Sequence, residues 1–392
     1  MGDYLSMGMS VGDMEKRNLE QRRNNHLQSM LHGTAVQDDV IPIRQPIRNS
    51  VSLEREITSE HLLVPSKKLL HKIKVIGIGG CGGNAINSYV ISSTNKTLEQ
   101  MTIACNTDYQ DLYKSVADIK FLLTDESSKG FGAGGDPSVG EVIAKSCEEK
   151  LSKIIKGNDL VLLVAGLGGG TGTGALPVIS RIAKDMGILT IAIVTMPFKC
   201  EGDARRKNAI VGFEKIRQHC DTIFTIDNNK ILMHLPAVTS IKQAFMYCDT
   251  VLIDMMQNII NTISSIGYIN LDFADVSAIL SRRGSANLAN IGYINNFAIT
   301  MNDFSKDKII KHLSDTLLTP SPPEMRYDNI IYNIRGIIDD IPIDMLNTIG
   351  DTISENVAKE DKNIIMGLDN MDNMNNTIKI FMIATSKDNA IG

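Results

Sequence analysis

The run Gly166-Leu167-Gly168-Gly169-Gly170-Thr171-Gly172-Thr173-Gly174 constrains this chain more than any other feature. Leu160–Ala165, just before it, is continuously apolar and reads as a buried strand. Leu176–Ala183, just after it, reads as a helix with Pro177 near its first turn. A strand, a glycine-rich turn and a helix N-terminus together form a cradle for phosphate. The glycines let backbone N–H groups close on an anion, and the helix dipole adds positive potential. The hydroxyls of Thr171 and Thr173 read as further donors. A flexible linker could share this composition, but linkers do not run from a buried strand into an apolar helix.

Two more glycine clusters precede it. Gly77-Ile78-Gly79-Gly80-Cys81-Gly82-Gly83-Asn84 follows the apolar run Ile73–Ile78 and contains G-x-G-x-x-G. Alone this would suggest a dinucleotide-binding Rossmann domain. A second phosphate loop at 166–174 does not fit that reading, because such domains hold the pyrophosphate at one helix N-terminus. No G-x-x-x-x-G-K-[ST] is present, which excludes a Walker-type NTPase. The third cluster is Gly130-Phe131-Gly132-Ala133-Gly134-Gly135-Asp136-Pro137. Three such loops point to a nucleotide with several phosphates, held by backbone rather than by lysine.

The remaining sequence narrows the class. A net charge of −5 gives no footing for a nucleic-acid binder. No run of 18 apolar residues exists to span a membrane, and no apolar secretory signal opens the chain. The cysteines at 81, 105, 147, 200, 220 and 248 form no C-x-x-C pair, as expected of reduced thiols in a cytoplasmic protein.

At 392 residues the chain is long enough for two domains and more. Residues 1–71 are polar and read as a flexible extension, with a short helix near Met14–Leu31. That helix could touch a membrane or a partner, or the segment could be a solvated tail. From Lys72 strands and helices alternate: Ile73–Ile78, Met101–Ala104, Leu160–Ala165, Leu189–Thr195 and Thr222–Ile226 read as strands of a mostly parallel sheet. A helix from Ser240 to Ser265 carries apolar residues at i, i+3, i+4, i+7 from Ile241 to Ile263. Ser240 and Gln243 form a capping box, and Gly267 fits the far end. Its length of roughly 38 Å suits a spine between two domains. Beyond it, Ile330–Ile334 and Ile378–Ala384 read as strands, Ile343–Val357 as a helix, and Pro320, Pro322 and Pro323 as a loop.

Together these residues resemble the tubulin/FtsZ superfamily of GTPases, and its FtsZ branch in particular. The run at 166–174 is similar to the tubulin signature loop. Asn106-Thr107-Asp108 resembles the family's N-T-D, and Pro197-Phe198-Lys199-Cys200-Glu201-Gly202 with Arg205 its P-F-x-x-E-G-x-x-R. Gly267-Tyr268-Ile269-Asn270-Leu271-Asp272-Phe273-Ala274-Asp275-Val276 resembles its synergy loop. The resemblance covers about residues 72–385. It implies an α/β fold: a tubulin-like GTPase domain with a parallel sheet (72–235), a central helix (236–266) and a second, α+β domain (267–392). It also implies a cytoplasmic, filament-forming GTPase of the cell-division ring that takes GTP or GDP with Mg²⁺. Its partners would be further copies of itself and proteins tethering the ring to the membrane. Gly80, Cys81, Gly82, Gly83, Asn84 and Asn106 would line one side of the nucleotide. Ala133, Gly134 and Gly135 would approach the γ-phosphate. Gly168, Gly169, Gly170, Thr171 and Gly172 would hold the α- and β-phosphates. Glu201 and Arg205 would address the ribose; without the motif they would read as an i,i+4 surface pair.

Three departures stand out. Asn229 occupies the place where the family usually has an aspartate contacting guanine. A carboxylate accepts from both N1–H and N2–H of guanine, whereas an amide accepts through one oxygen, so weaker base recognition is expected. Cys81 replaces a common glycine, which is tolerated if its φ is negative. The chain ends soon after its last strand, without the tail peptide of bacterial members; this pattern is closer to archaeal ones, and residues 1–71 could substitute for the tail. Hydrolysis needs an oriented water. The resemblance points to Asn270, Asp272 and Asp275, which the long helix carries away from the nucleotide, so they would act on a neighbouring subunit's GTP. Asp272 and Asp275 could instead be only the cap and first turn of the next helix. A slowly hydrolysing scaffold paralogue and, more remotely, a dehydrogenase are the competing functional readings.

Overall fold

The computed structural model describes residues 71–92, 100–125, 130–236, 238–264, 268–269, 271–281, 288–314, 326–371, 374 and 376–386. The expected helix at 14–31, the proline loop at 320–323, Gly267 and Asn270 lie outside the described residues.

A parallel array begins with β1 (Ile73–Ile78), β2 (Gln100–Asn106) and β3 (Ile119–Leu122). It continues with β4 (Leu160–Gly166), β5 (Leu189–Met196) and β6 (Thr222–Asp227). The spatial order β3-β2-β1-β4-β5-β6 is that of a doubly wound nucleotide-binding fold. The second phosphate loop sets the site apart from that of a dinucleotide-binding domain. Leu160–Ala165 shows why such a sheet needs helices on both faces. Leu160, Leu162 and Val164 enter one core, while Val161, Leu163 and Ala165 enter the other.

The first core takes α1 (Gly79–Ser92), and the second takes α3 (Pro137–Ser146), α4 (Glu148–Ile155), α5 (Gly170–Asp185) and α6 (Asp203–Arg217). α2 (Tyr109–Tyr113) is a single capped turn after β2. α5 starts six residues earlier than its apolar periodicity suggests, so Pro177 sits inside the helix rather than in its first turn. Glycine is a poor helix former, which hides this start in the sequence. Close packing explains it. A Cβ on Gly174 would stand 2.1 Å from the Pro137 carbonyl oxygen, and one on Gly140 would stand 2.5 Å from that of Gly170.

Asn228–Met233 form α7, with the Asp227 carboxylate capping the Asn229 N–H. α8 (Ile241–Ser264) is the expected long helix, about 36 Å at 1.5 Å per residue. Its capping box is present: Ser240 N–H donates to Gln243 Oε1 at 2.9 Å, and Gln243 N–H to Ser240 Oγ at 3.3 Å. Cys248, Leu252, Met255, Met256, Ile259 and Ile260 share one core with Phe224 of β6 and with Ile294, Ile331 and Phe381 of the strands beyond.

After α9 (Phe273–Leu280) come β7 (Asn290–Thr300), α10 (Lys306–Ser314) and β8 (Tyr327–Gly336). α11 (Ile343–Val357), β9 (Ala358–Asn370) and β10 (Thr377–Ser386) complete the described chain. β7, β10, β8 and β9 extend the same sheet, and α10 and α11 cover a third core. The joint between the halves is short. β6 meets β7 through three parallel pairs, Thr222–Asn290, Ile223–Ile291 and Phe224–Gly292.

Gly292 is required at that joint, because a Cβ there would lie 2.1 Å from the Phe224 ring. Gly292→Ala should cost about 1–3 kcal/mol through overpacking, read as a lower urea midpoint with an unchanged slope. Adding Phe224→Leu should recover part of that loss.

Candidate functional site: a nucleotide cleft between two helix N-termini

β1 and β4 are neighbours, yet their helices leave to opposite faces, which makes the space beyond their carboxyl ends a topological switch point. A cleft of about 460 Å³ occupies it. The N-termini of α1 and α5 form its floor: Gly79, Gly80, Cys81 and Asn84 on one side, Gly169, Gly170, Thr171 and Gly172 on the other. The two ends touch. Gly79 has φ +72°, and a Cβ there would stand 3.0 Å from the Gly172 nitrogen. The uncommitted N–H groups of two first turns thus face one volume, with both dipoles aimed at it.

Some expected phosphate-loop residues shape the cleft instead of lining it. Gly82 seats α1 on β4, since a Cβ would come within 2.3 Å of the Val164 carbonyl. Gly83 is partly exposed and contributes no lining. Gly168, at φ +105°, makes the turn and donates its N–H to Thr173 Oγ1 at 2.8 Å. Thr173 is therefore a buried brace rather than an anion donor. Thr171 Oγ1 lies 2.6 Å from Thr107 Oγ1, which ties the loop after β2 to the cleft floor. Asn106 is buried and braces that loop: its Nδ2 donates to Asp111 Oδ2 at 2.7 Å, and its Oδ1 accepts from Asp108 N–H. Ala133, Gly134 and Gly135 do not line the cleft; Ala133 stands against its floor, where a Cβ on Gly170 would sit 2.8 Å from its own.

Cys81 is accommodated. Its φ is not positive, and its side chain covers Gly166 with Sγ 3.6 Å from Thr195 Oγ1. Burial pushes its thiol up to about 11 and that of Cys248, across the cleft, up to about 12, so both stay protonated at neutral pH. Glu201 and Arg205 line one wall as an ion pair, and Glu201 also accepts the Phe198 N–H at 2.9 Å.

The far end of the cleft corrects one expectation. Asn229 does not line it. Its Oδ1 accepts from Lys199 N–H at 2.8 Å, and its Nδ2 donates to Pro197 O at 3.1 Å and Asp227 Oδ1 at 3.0 Å. The amide is thus fully used in holding the turn at 197–201. The lining residues are Asn228, Phe245 and Asp249. Asn228 Oδ1 is buried without a partner among the described residues. Phe245 meets Phe198 edge-on at 4.8 Å. Burial raises the pKa of the Asp249 carboxyl. The sequence signal was Phe245 and Asp249 one turn apart on α8, a polar residue beside the apolar stripe.

Asp272 and Asp275 lie elsewhere. Phe273 and Ser277 of α9 border a second cavity, of about 1090 Å³, with Asn158, Asp159, Leu189 and Asp221. Those residues precede or open β4, β5 and β6, so the acidic pair sits by the amino ends of the parallel strands, opposite the cleft at their carboxyl ends. This second cavity has no glycine-rich helix end. Asp272 occupies the N-cap position of α9, but its carboxylate accepts no cap hydrogen bond. Asp275 stands in the first turn of α9, where its charge favours the helix dipole, and both carboxylates are exposed.

A doubly wound domain with two helix ends at one anion cradle defines a nucleotide-phosphate-binding protein. The family model described as Tubulin/FtsZ family, GTPase domain, matches residues 72–236. Cell division protein FtsZ 1 of Methanocaldococcus jannaschii is 33% identical over 341 residues, 86% of this chain and 89% of that protein. A solved FtsZ dimer from M. jannaschii superposes with TM-score 0.71 at 32% identity, over 82% of this chain and 89% of the other. CetZ2 from Haloferax volcanii, at 17% identity and TM-score 0.67 over 81% of this chain and 94% of the other, shares the fold. The chain belongs to the tubulin/FtsZ family and is a guanine-nucleotide-dependent GTPase.

Asp249 gives a pH-dependent expectation. Its pKa is raised in the fold, so its ionisation is a penalty that is fully present above the folded value and vanishes below the unfolded value near about 3.9. Nucleotide-free Asp249→Asn should therefore melt higher than the parent at pH 7, and the gap should close as pH falls towards 4.

Proposed function

We propose that this protein is a cytoplasmic filament-forming GTPase of the cell-division machinery, with hydrolysis completed between consecutive subunits. The observation that carries it is the separation of the anion cradle from the exposed pair Asp272 and Asp275, at opposite ends of the same parallel strands. The two halves of such a site cannot meet within one molecule, but they meet when molecules stack head to tail. A heterologous contact that does not close generates a filament.

In this reading the α1 and α5 N-termini hold the phosphates, with Gly80, Cys81 and Asn84 facing Gly169–Gly172. The turn bearing Ala133, Gly134 and Gly135 approaches the γ-phosphate. Glu201 and Arg205 address the ribose. Asp249 accepts from the guanine N1–H and N2–H, Asn228 Oδ1 offers a further acceptor, and Phe245 packs on the base. Asp249 thereby supplies the carboxylate expected at Asn229. Mg²⁺ would be carried by the phosphate oxygens and neutralise their charge. From the next subunit Asp272 and Asp275, with Asn270, orient and polarise the attacking water. Loss of the γ-phosphate would weaken the contact. The nucleotide domain, central helix and C-terminal part would divide binding, spacing and activation between them, and the filaments would engage proteins tethering them at a mid-cell ring.

Sedimentation with GTP against GDP, with phosphate release followed across protein concentration, tests this. Specific activity should rise steeply with concentration; full activity at high dilution would sink the reading. Asp275→Ala should bind GTP and pellet with it while losing on the order of a hundredfold in turnover. Asp249→Asn should weaken GTP binding by roughly tenfold or more, the scale of one charge-assisted hydrogen bond.

A further inference from the structure

The acidic segment needs a fixed position if it is to complete a neighbour's site, and three successive residues of β9 hold it. The backbone of Leu368 pairs with the segment: Tyr268 and Ile269 N–H donate to its carbonyl at 2.8 and 3.2 Å, and its own N–H donates to Ile269 O at 3.1 Å. Leu271, two residues on, is buried against Gly367. A Cβ on Gly367 would stand 2.8 Å from Leu271 Cδ1 and 2.9 Å from its Cγ. Gly367 is thus the seat that lets Leu271 reach the strand, and Leu271 immediately precedes Asp272.

The third residue, Asp369, is clamped from β8. Asn333 Nδ2 donates to its Oδ2 at 2.7 Å and Arg335 Nε at 3.2 Å. Arg335 also reaches the central helix, where its Nη1 donates to Asn258 Oδ1 at 2.9 Å. Asn258 is oriented for this, because its Nδ2 donates to the Asp254 carbonyl one turn back. Arg335 and Asp369 are largely buried, at 11% and 14% side-chain exposure. Arg335 Nη2 and Asn333 Oδ1 have no partner among the described residues. A buried ion pair with unmet polar atoms is a poor source of stability, so its value here lies in geometry.

We propose that Gly367, Leu368 and Asp369, locked to α8 through Arg335 and Asn258, form a rail that positions the acidic segment for hydrolysis in the adjoining subunit. The inference rests on the interface reading above. Gly367, Asp369 and Arg335 are positioning residues. They set where Asp272 and Asp275 stand and leave the nucleotide cleft, at the carboxyl ends of the parallel strands, untouched.

The test measures turnover per pelleted subunit, GTP affinity and thermal midpoint on the full chain. Gly367→Ala lifts Leu271 off its seat. It should lower turnover in the polymer by roughly tenfold or more, the scale of a small misplacement of reacting groups, with GTP affinity unchanged. Removing the obstructed atoms with Leu271→Ala in the same chain should raise turnover above that of Gly367→Ala alone, a coupling that simple destabilisation would not give. Arg335→Gln, which leaves the seat intact, should also lower turnover at unchanged affinity. Wild-type turnover in Gly367→Ala, or no recovery in the double variant, overturns the rail. Asp275→Ala run alongside separates the two ideas: if it also hydrolyses normally, the interface reading itself has failed.

Discussion

Everything in the nucleotide half depends on the contact between two helix ends. α1 and α5 approach until Gly79 and Gly172 leave no room for a side chain. Two sets of unpaired N–H groups and two positive dipole ends would repel each other in an empty dry interior; they are tolerable where an anion or water occupies the gap between them. The sheet order makes this arrangement available, because only at the switch point do adjacent strands send helices to opposite faces while their carboxyl ends remain side by side. The glycines at 77, 82, 140 and 174 then serve one purpose: they bring backbone against backbone so that the gap has a fixed width.

Much of this was legible in the sequence, for a physical reason. β1 and α11 have the boundaries their patterns predict, and α8 differs only at its ends, because burial on both faces or along one stripe leaves a strong periodic mark. β3, β7 and β9 left weaker marks and were not anticipated. After Ala358, β9 runs through Lys359, Glu360, Asp361 and Lys362 before its apolar residues resume at Ile364. β7 carries Asn295 and Asn296 at its centre. Asn295 is buried only because its amide donates to Tyr293 Oη and the His312 carbonyl, partners that exist only after folding.

The site divides in the same way. Loop residues that line a cleft through their backbone are visible as glycine patterns, and Gly80 and Gly169–Gly172 do line it. A base pocket is built by side chains converging from separate elements, and spacing along one loop cannot reveal it. Asn229 was expected in the cleft and does not line it for that reason: adjacent to Asn228 in sequence, it bonds instead to Pro197, Lys199 and Asp227. Asp249 belongs to a helix whose apolar stripe dominates its pattern, so its place in the lining shows only in the structure.

The short joint between β6 and β7 has a mechanical meaning. Along the sheet, β6 and β7 share three backbone pairs, and behind the sheet the halves share the rod α8 and the shorter α9, whose Leu280 and Ile279 carbonyls accept from Thr222 Oγ1 and Thr385 Oγ1. A plate joined to another by a narrow strip and stiffened by a rod resists stretching along the rod far more than twisting about it. Load applied at one edge of such a body reaches the other edge along α8 with little loss, while rotation of the far half is resisted mainly by side-chain packing. The two ends of this molecule are therefore held at a fixed spacing but are softer in relative angle.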